Sequence, residues 1–64
     1  MSYELYEVWA EDEEGHEELI ETTRSRPQAF KLAEGCLTDG FISSIVYQET
    51  DDGDLVELKR YDAD

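Results

Sequence analysis

Sixty-four residues carrying 18 Asp and Glu against five Lys and Arg have a net charge of −13, which excludes direct binding to phosphate backbones and anionic lipid surfaces. A chain this short buries only about 60% of its unfolded surface, so residues 1–64 form a single domain with one thin core and no walled substrate pocket. The 39% hydrophobic content, Trp9, two phenylalanines and four tyrosines exclude a disordered acidic tail, and the lone Cys36 excludes an internal disulfide.

No apolar run approaches the roughly 18 residues of a membrane span, and Met1-Ser2-Tyr3-Glu4 has no signal-peptide character. The expected compartment is therefore the cytoplasm. The chain reads as free of internal repeats and of any dividing linker.

Tyr3 to Ala10 and Glu18 to Thr22 are rich in strand-forming residues, and Glu11 to Glu17 between them predicts the turn. With Glu13-Glu14-Gly15 as a three-residue loop and Gly15 left-handed, Asp12 pairs with His16 and Val8 with Ile20. One face then carries Tyr6, Val8, Ala10, Ile20 and Thr22. The other carries Leu5, Trp9 and Leu19 with Glu7 and Glu21. A tighter Glu14-Gly15 turn would set Glu21 beside Val8 on the core face, so the longer loop is preferred.

Ser25-Arg26-Pro27-Gln28 starts a helix: Ser25 caps, Gln28 completes a capping box, and Pro27 suits the first turn because its missing N–H has no partner there. Ala29, Leu32, Ala33 and Cys36 recur at helical spacing with Phe30 and Leu37 flanking them, and Thr38-Asp39-Gly40 ends the helix. Phe41 to Glu49 and Leu55 to Tyr61 are strands joined by Asp52-Gly53, read as a two-residue type I′ turn. That turn pairs Glu49 with Val56, Tyr47 with Leu58 and Ile45 with Arg60.

The order ββαββ predicts an α+β fold, a four-stranded sheet with one helix across one face. The helix should cover Tyr6, Val8, Ile20, Phe41, Ile45, Tyr47, Val56 and Leu58. The uncovered face would expose Tyr3, Leu5, Trp9, Leu19, Ile42, Val46, Leu55 and Tyr61, enough apolar surface to predict a binding or dimerisation interface.

Two acidic clusters stand out: Glu11, Asp12, Glu13, Glu14, Glu17 and Glu18, and then Glu49, Asp51, Asp52 and Asp54. The first reads either as a solvated hairpin tip or as an anionic prong for a basic groove, and the two together as a charged edge rather than one focused site. Strands of six or seven residues would hold the two tips roughly 20 Å or more apart. Asp51-Asp52-Gly53-Asp54 lacks the ligand spacing of a calcium loop. His16, weighed alone, lacks the second and third N/S ligands of a zinc site.

Cys36 reads as a small buried residue with no base beside it. Glu7 and Glu21, on one face with Trp9 and Leu19, are the only pair that resembles acid–base machinery, and exposed cross-strand charges explain them better. The four glycines are isolated, so no phosphate loop exists. The five basic residues, Arg24, Arg26, Lys31, Lys59 and Arg60, read as surface ion-pairing partners. No enzyme, cofactor or metal is expected.

The stretch Ile20-Glu21-Thr22-Thr23, with Ser25, Gln28-Ala29, Lys31-Leu32-Ala33, Val46 and the Asp52-Gly53-x-Leu55 hairpin, resembles small phage-type anti-CRISPR proteins that pair β-hairpins around one helix. It covers about two thirds of the chain, which is more acidic than that pattern. The resemblance implies inhibition of a nucleic-acid-targeting complex, in a host cell's cytoplasm, without assigning contact residues; the acidity separately points to a basic protein surface that carboxylates on a rigid sheet would occupy as a nucleic-acid mimic. The other reading is a high-salt interaction domain that works through its apolar sheet face as a homodimer.

Overall fold

The computed structural model describes residues 4–63; Tyr3, expected on the uncovered face, lies outside them. The elements are β1 (Leu5–Glu11), β2 (Glu17–Thr23), α1 (Arg26–Thr38), β3 (Ser43–Glu49) and β4 (Leu55–Asp62). They form one antiparallel sheet in the order β2-β1-β3-β4 with the helix on one face. This is the expected ββαββ α+β fold.

Each hairpin closes on a three-residue loop. The Asp12 N–H donates to the His16 carbonyl at 3.0 Å, the Thr50 N–H to that of Asp54 at 2.8 Å, and both Gly15 and Gly53 have φ of +88°. Only glycine adopts that conformation without strain, which fixes both loops at the same length. The first loop is as read from the sequence. The second is one residue longer than the expected Asp52-Gly53 turn, because Thr50 and Asp54 close around Asp51, Asp52 and Gly53.

Both outer strands then carry a bulge at the same distance from the loop. Val8 pairs with Glu21 and Trp9 with Leu19, leaving Ile20 as the extra residue. Val46 pairs with Lys59 and Tyr47 with Glu57, leaving Leu58 extra. Each bulge turns its apolar residue toward the helix, and Ile20 and Leu58 both pack on the core. Beyond the first bulge the faces exchange: Thr22 pairs with Glu7 rather than standing beside Val8. In the second hairpin Ile45 pairs with Arg60 as expected, but the bulge moves Tyr47 onto Glu57 and Glu49 onto Leu55.

The two hairpins are one backbone pattern used twice, 38 positions apart: Val8 corresponds to Val46, Gly15 to Gly53 and Ile20 to Leu58. Val8 also pairs directly with Val46 across the central ladder. An approximate two-fold axis therefore pierces the sheet at that pair and places the two tips at opposite ends. The chain does contain an internal structural repeat, contrary to the sequence reading. Few identities mark it beyond the valines, the glycines and the glutamates Glu11 and Glu49.

Directly paired residues share a face, so a buried Val8 requires a buried Val46. This reverses the face expected for β3. Ser44 and Val46 lie under the helix fully buried, while Ile45 and Tyr47 turn to the other side. Ser44 also pairs with Tyr61, which packs on the core, whereas Val56 is 48% exposed. The reason is space. The helix presents Ala29, Ala33 and Cys36, and over the small pair Ala10 and Ser44 its backbone comes close enough for Ser44 Oγ to donate to the Ala33 carbonyl at 2.7 Å. An isoleucine or tyrosine would not fit there. At the other end of the helix-covered face the Tyr6 ring is buried, and its hydroxyl donates to Glu4.

The helix begins as read: Ser25 Oγ accepts from the Gln28 N–H at 3.3 Å, and Pro27 occupies the first turn. The Ser25 N–H goes to Thr23 Oγ1 at 3.1 Å rather than to the Gln28 side chain. No helix among the described residues is long and apolar enough to cross a membrane.

Candidate binding surface and hairpin tips

The uncovered face can be read row by row from the pairing. Leu19, Trp9, Ile45 and Arg60 lie side by side in one row, and Thr22, Glu7, Tyr47 and Glu57 in the next. The flanking rows are Glu17, Glu11, Ser43 and Asp62 at one end, and Leu5, Glu49 and Leu55 at the other. An apolar patch of Leu19, Trp9, Ile45 and Tyr47 is thus ringed by carboxylates. Leu5, Trp9, Ile45 and Tyr47 are half-buried, and Leu19 is 46% and Leu55 42% exposed.

Of the residues expected on this face, Leu5, Trp9, Leu19 and Leu55 are there. Val46 is fully buried beneath the helix and Tyr61 packs on the core, for the pairing reason given above. Ile42 is exposed just before β3, where its N–H donates to the Glu11 carbonyl at 2.9 Å. On the uncovered face Ile45 and Tyr47 stand on β3 in place of Val46, and Arg60 and Glu57 on β4 in place of Tyr61. No local signal marked Ile45 and Tyr47: with Phe41 they form the richer apolar set of the strand, so alternation alone assigns them to the core.

The groups on this face are fixed in place. Trp9 Nε1 donates to Glu7 Oε1 at 2.9 Å, tying the indole to a carboxylate two residues away on its own strand. Arg60 Nε meets Asp62 Oδ1 at 3.3 Å, which neutralises the cation on this face and raises the guanidinium pKa, first through that hydrogen bond. Lys59, 5.5 Å from the Tyr61 ring, lies on the opposite, helix-covered side, across from Val46. A shallow opening beside Trp9, Glu11, Glu17, Ser43 and Ile45 has room for little more than a water molecule, far less than the roughly 300 Å³ that ligand pockets begin at. The surface is suited to docking another surface.

Glu7 and Glu21 do not form a pair. Glu7 stands opposite Thr22 and Glu21 opposite Val8, on different faces. Cys36 is buried under the sheet, and burial, with a smaller contribution from Asp39, pushes its thiol pKa up. That is the opposite of an activated nucleophile.

The acidic tips differ in chemistry. In the first, Asp12 Oδ1 accepts from the N–H groups of Glu14 at 2.9 Å and His16 at 3.0 Å, and the His16 N–H is the main cause of the lowered Asp12 pKa. Asp12 Oδ2 and Glu14 Oε2 each lie 3.7 Å from His16 Nδ1. Glu13, Glu14, Glu17 and Glu18 are exposed, and Glu11 is half-buried with Oε1 3.4 Å from the Ser43 hydroxyl. In the second tip, Thr50 Oγ1 takes the place of the Asp12 carboxylate and accepts from the Asp54 N–H at 3.1 Å. Asp51, Asp52 and Asp54 are exposed around it. The sequence reading took His16 singly; the loop brings the side chains of positions 12, 14 and 16 together.

No family model, curated protein or solved structure matches this chain.

Proposed function

We propose that this protein acts by contact, occluding a basic nucleic-acid-binding surface of another protein, as an anti-CRISPR or anti-restriction inhibitor of the DNA-mimic type would. One observation supports this above the rest: the uncovered face sets Leu19, Trp9, Ile45 and Tyr47 inside a ring formed by Glu7, Glu11, Glu17, Glu49 and Glu57. Aromatic and aliphatic groups anchor an interface, while charge of one sign selects an oppositely charged partner and speeds the encounter. Acidic tips at both ends of a body 39 Å long span roughly one turn of duplex DNA. On this reading Glu11, Asp12, Glu13, Glu14, Glu17 and Glu18 flank one end of the contact, and Asp51, Asp52 and Asp54 the other.

The apolar patch also suits a homodimer, the form expected of a high-salt interaction domain. Self-docking would oppose the carboxylate rings of two chains of charge −13, so it requires molar salt to screen them.

Displacement of a labelled target duplex from a guide-loaded CRISPR effector and from a restriction endonuclease tests the proposal. Wild type should displace the duplex in dilute buffer and lose that ability as salt rises. Reversal of Glu13, Glu14, Glu17 and Glu18 to lysine should abolish displacement. Displacement unchanged by that reversal, or a monomer in dilute buffer that dimerises in molar potassium chloride and displaces nothing, would overturn the inhibitor reading.

A further inference from the structure

We propose that the tip of the β1–β2 hairpin is a binding site for a borderline divalent transition ion, Zn²⁺ or Ni²⁺, with His16 Nδ1, Asp12 Oδ2 and a Glu14 carboxylate oxygen as its protein ligands. These three donor atoms lie within 4.8 Å of one another, and His16 Nδ1 is 3.7 Å from each carboxylate. Ligands bonded to one zinc ion at about 2.0–2.2 Å stand roughly 3.0–3.5 Å apart. Small side-chain rotations therefore complete the geometry. The His16 and Glu14 side chains are 76% and 80% exposed and free to make them.

The donor set selects the ion. Calcium takes six to eight oxygens, and magnesium keeps an octahedron of oxygen and water. One imidazole with two carboxylates suits borderline ions instead, and leaves positions for water or for a donor from a bound partner. The carboxylate is also pre-oriented: Asp12 Oδ1 is occupied by the two loop N–H groups, which turns Oδ2 toward the imidazole in the manner of an outer-shell partner.

The protein contains its own comparison. The β3–β4 tip has the same loop, with three carboxylates over residues 50–54 as over residues 12–16, but Thr50 stands at the position of Asp12 and Asp54 at that of His16. An ion that responds only to negative charge should visit both tips. An ion that needs the imidazole should occupy only the first.

Two-dimensional ¹H–¹⁵N spectra of the full chain, titrated with zinc chloride in a non-chelating buffer, separate these cases. Expected are shifts confined to residues 12–16 that saturate at one equivalent, with no matching change on adding magnesium chloride. His16→Gln should lower zinc affinity at least about tenfold. Transplanting the set, with Thr50→Asp, Asp52→Glu and Asp54→His together, should raise the stoichiometry from one ion to two. Shifts spread over both tips, an equal response to magnesium, or unchanged zinc affinity in His16→Gln would overturn the site and leave His16 as an ion-pairing partner of Asp12 and Glu14.

Discussion

At the first hairpin tip a carboxylate gathers two backbone N–H groups; at the second a threonine hydroxyl gathers one, in a loop of the same length with the same left-handed glycine. Along the strands the same pairing recurs, with Tyr6 in the first hairpin standing where Ser44 stands in the second, and Trp9 where Tyr47 stands. Backbone pairing and two glycines are thus enough to specify the hairpin twice. The side chains are then free to differ: one end of the helix-covered face is filled by a ring, the other by close approach of the helix. The repeat is a property of main-chain geometry, and function resides in how its copies diverge.

The largest expected effect comes from exchanging the faces. Val46→Asp places a carboxylate at the pseudo-two-fold centre of the core and should cost more than about 4 kcal/mol, unfolding a chain this small. Ile45→Asp, one residue away on the uncovered face, should cost less than about 1 kcal/mol in urea melts while abolishing partner displacement. Equal destabilisation by the two would show that β3 faces the other way.

Equivalence of the loops is tested next by Gly15→Ala and Gly53→Ala. Each should lose roughly 1–2 kcal/mol because φ stays positive, and the two losses should agree, since neither added methyl meets anything closer than 4.0 Å. A clear inequality in thermal melts would break the repeat. The asymmetry at the helix is sharpened by Ser44→Ala, which removes the hydroxyl that donates to the Ala33 carbonyl and should cost about 1 kcal/mol. Cys36 should be alkylated far more slowly in the native protein than in urea, because burial raises its thiol pKa and bars the reagent.

The smallest effect is a difference in acid tolerance between the tips. The Asp12 carboxyl has a lowered pKa in the fold, so its contribution is present above the unfolded carboxylate value and is lost as pH falls through the lower, folded one. Thr50 has nothing to titrate. Amide spectra recorded while pH is lowered should show residues 12–16 loosening before residues 50–54. The reverse order would contradict the hydrogen bonds assigned to Asp12.

Much of this was legible in the residues. Apolar alternation around Tyr6, Val8 and Ala10, the Ser25 cap with Pro27, and Gly15 in an acidic turn each follow from local rules. The face of the second hairpin was not, because two apolar sets at alternate positions compete there and the deciding factor is distant. Ala29, Ala33 and Cys36 bring the helix so close that only Ser44 and Val46 fit beneath it. Bulges at Ile20 and Leu58 change register with no glycine or proline to announce them. Glu7 and Glu21 seemed neighbours only because the bulge was invisible. The tip cluster was missed for a related reason: positions 12, 14 and 16 converge only once the loop has closed.

Those bulges lie on β2 and β4, the margins of the sheet, where unpaired main-chain groups would otherwise template another strand. An extra residue in mid-strand breaks the straight run of donors and acceptors that a neighbouring chain would need to extend the ladder. The residue that completes the core on each side is therefore also the one that stops the sheet from growing. A protein with apolar residues on an uncovered face is thereby directed toward face-on encounters and away from fibrils.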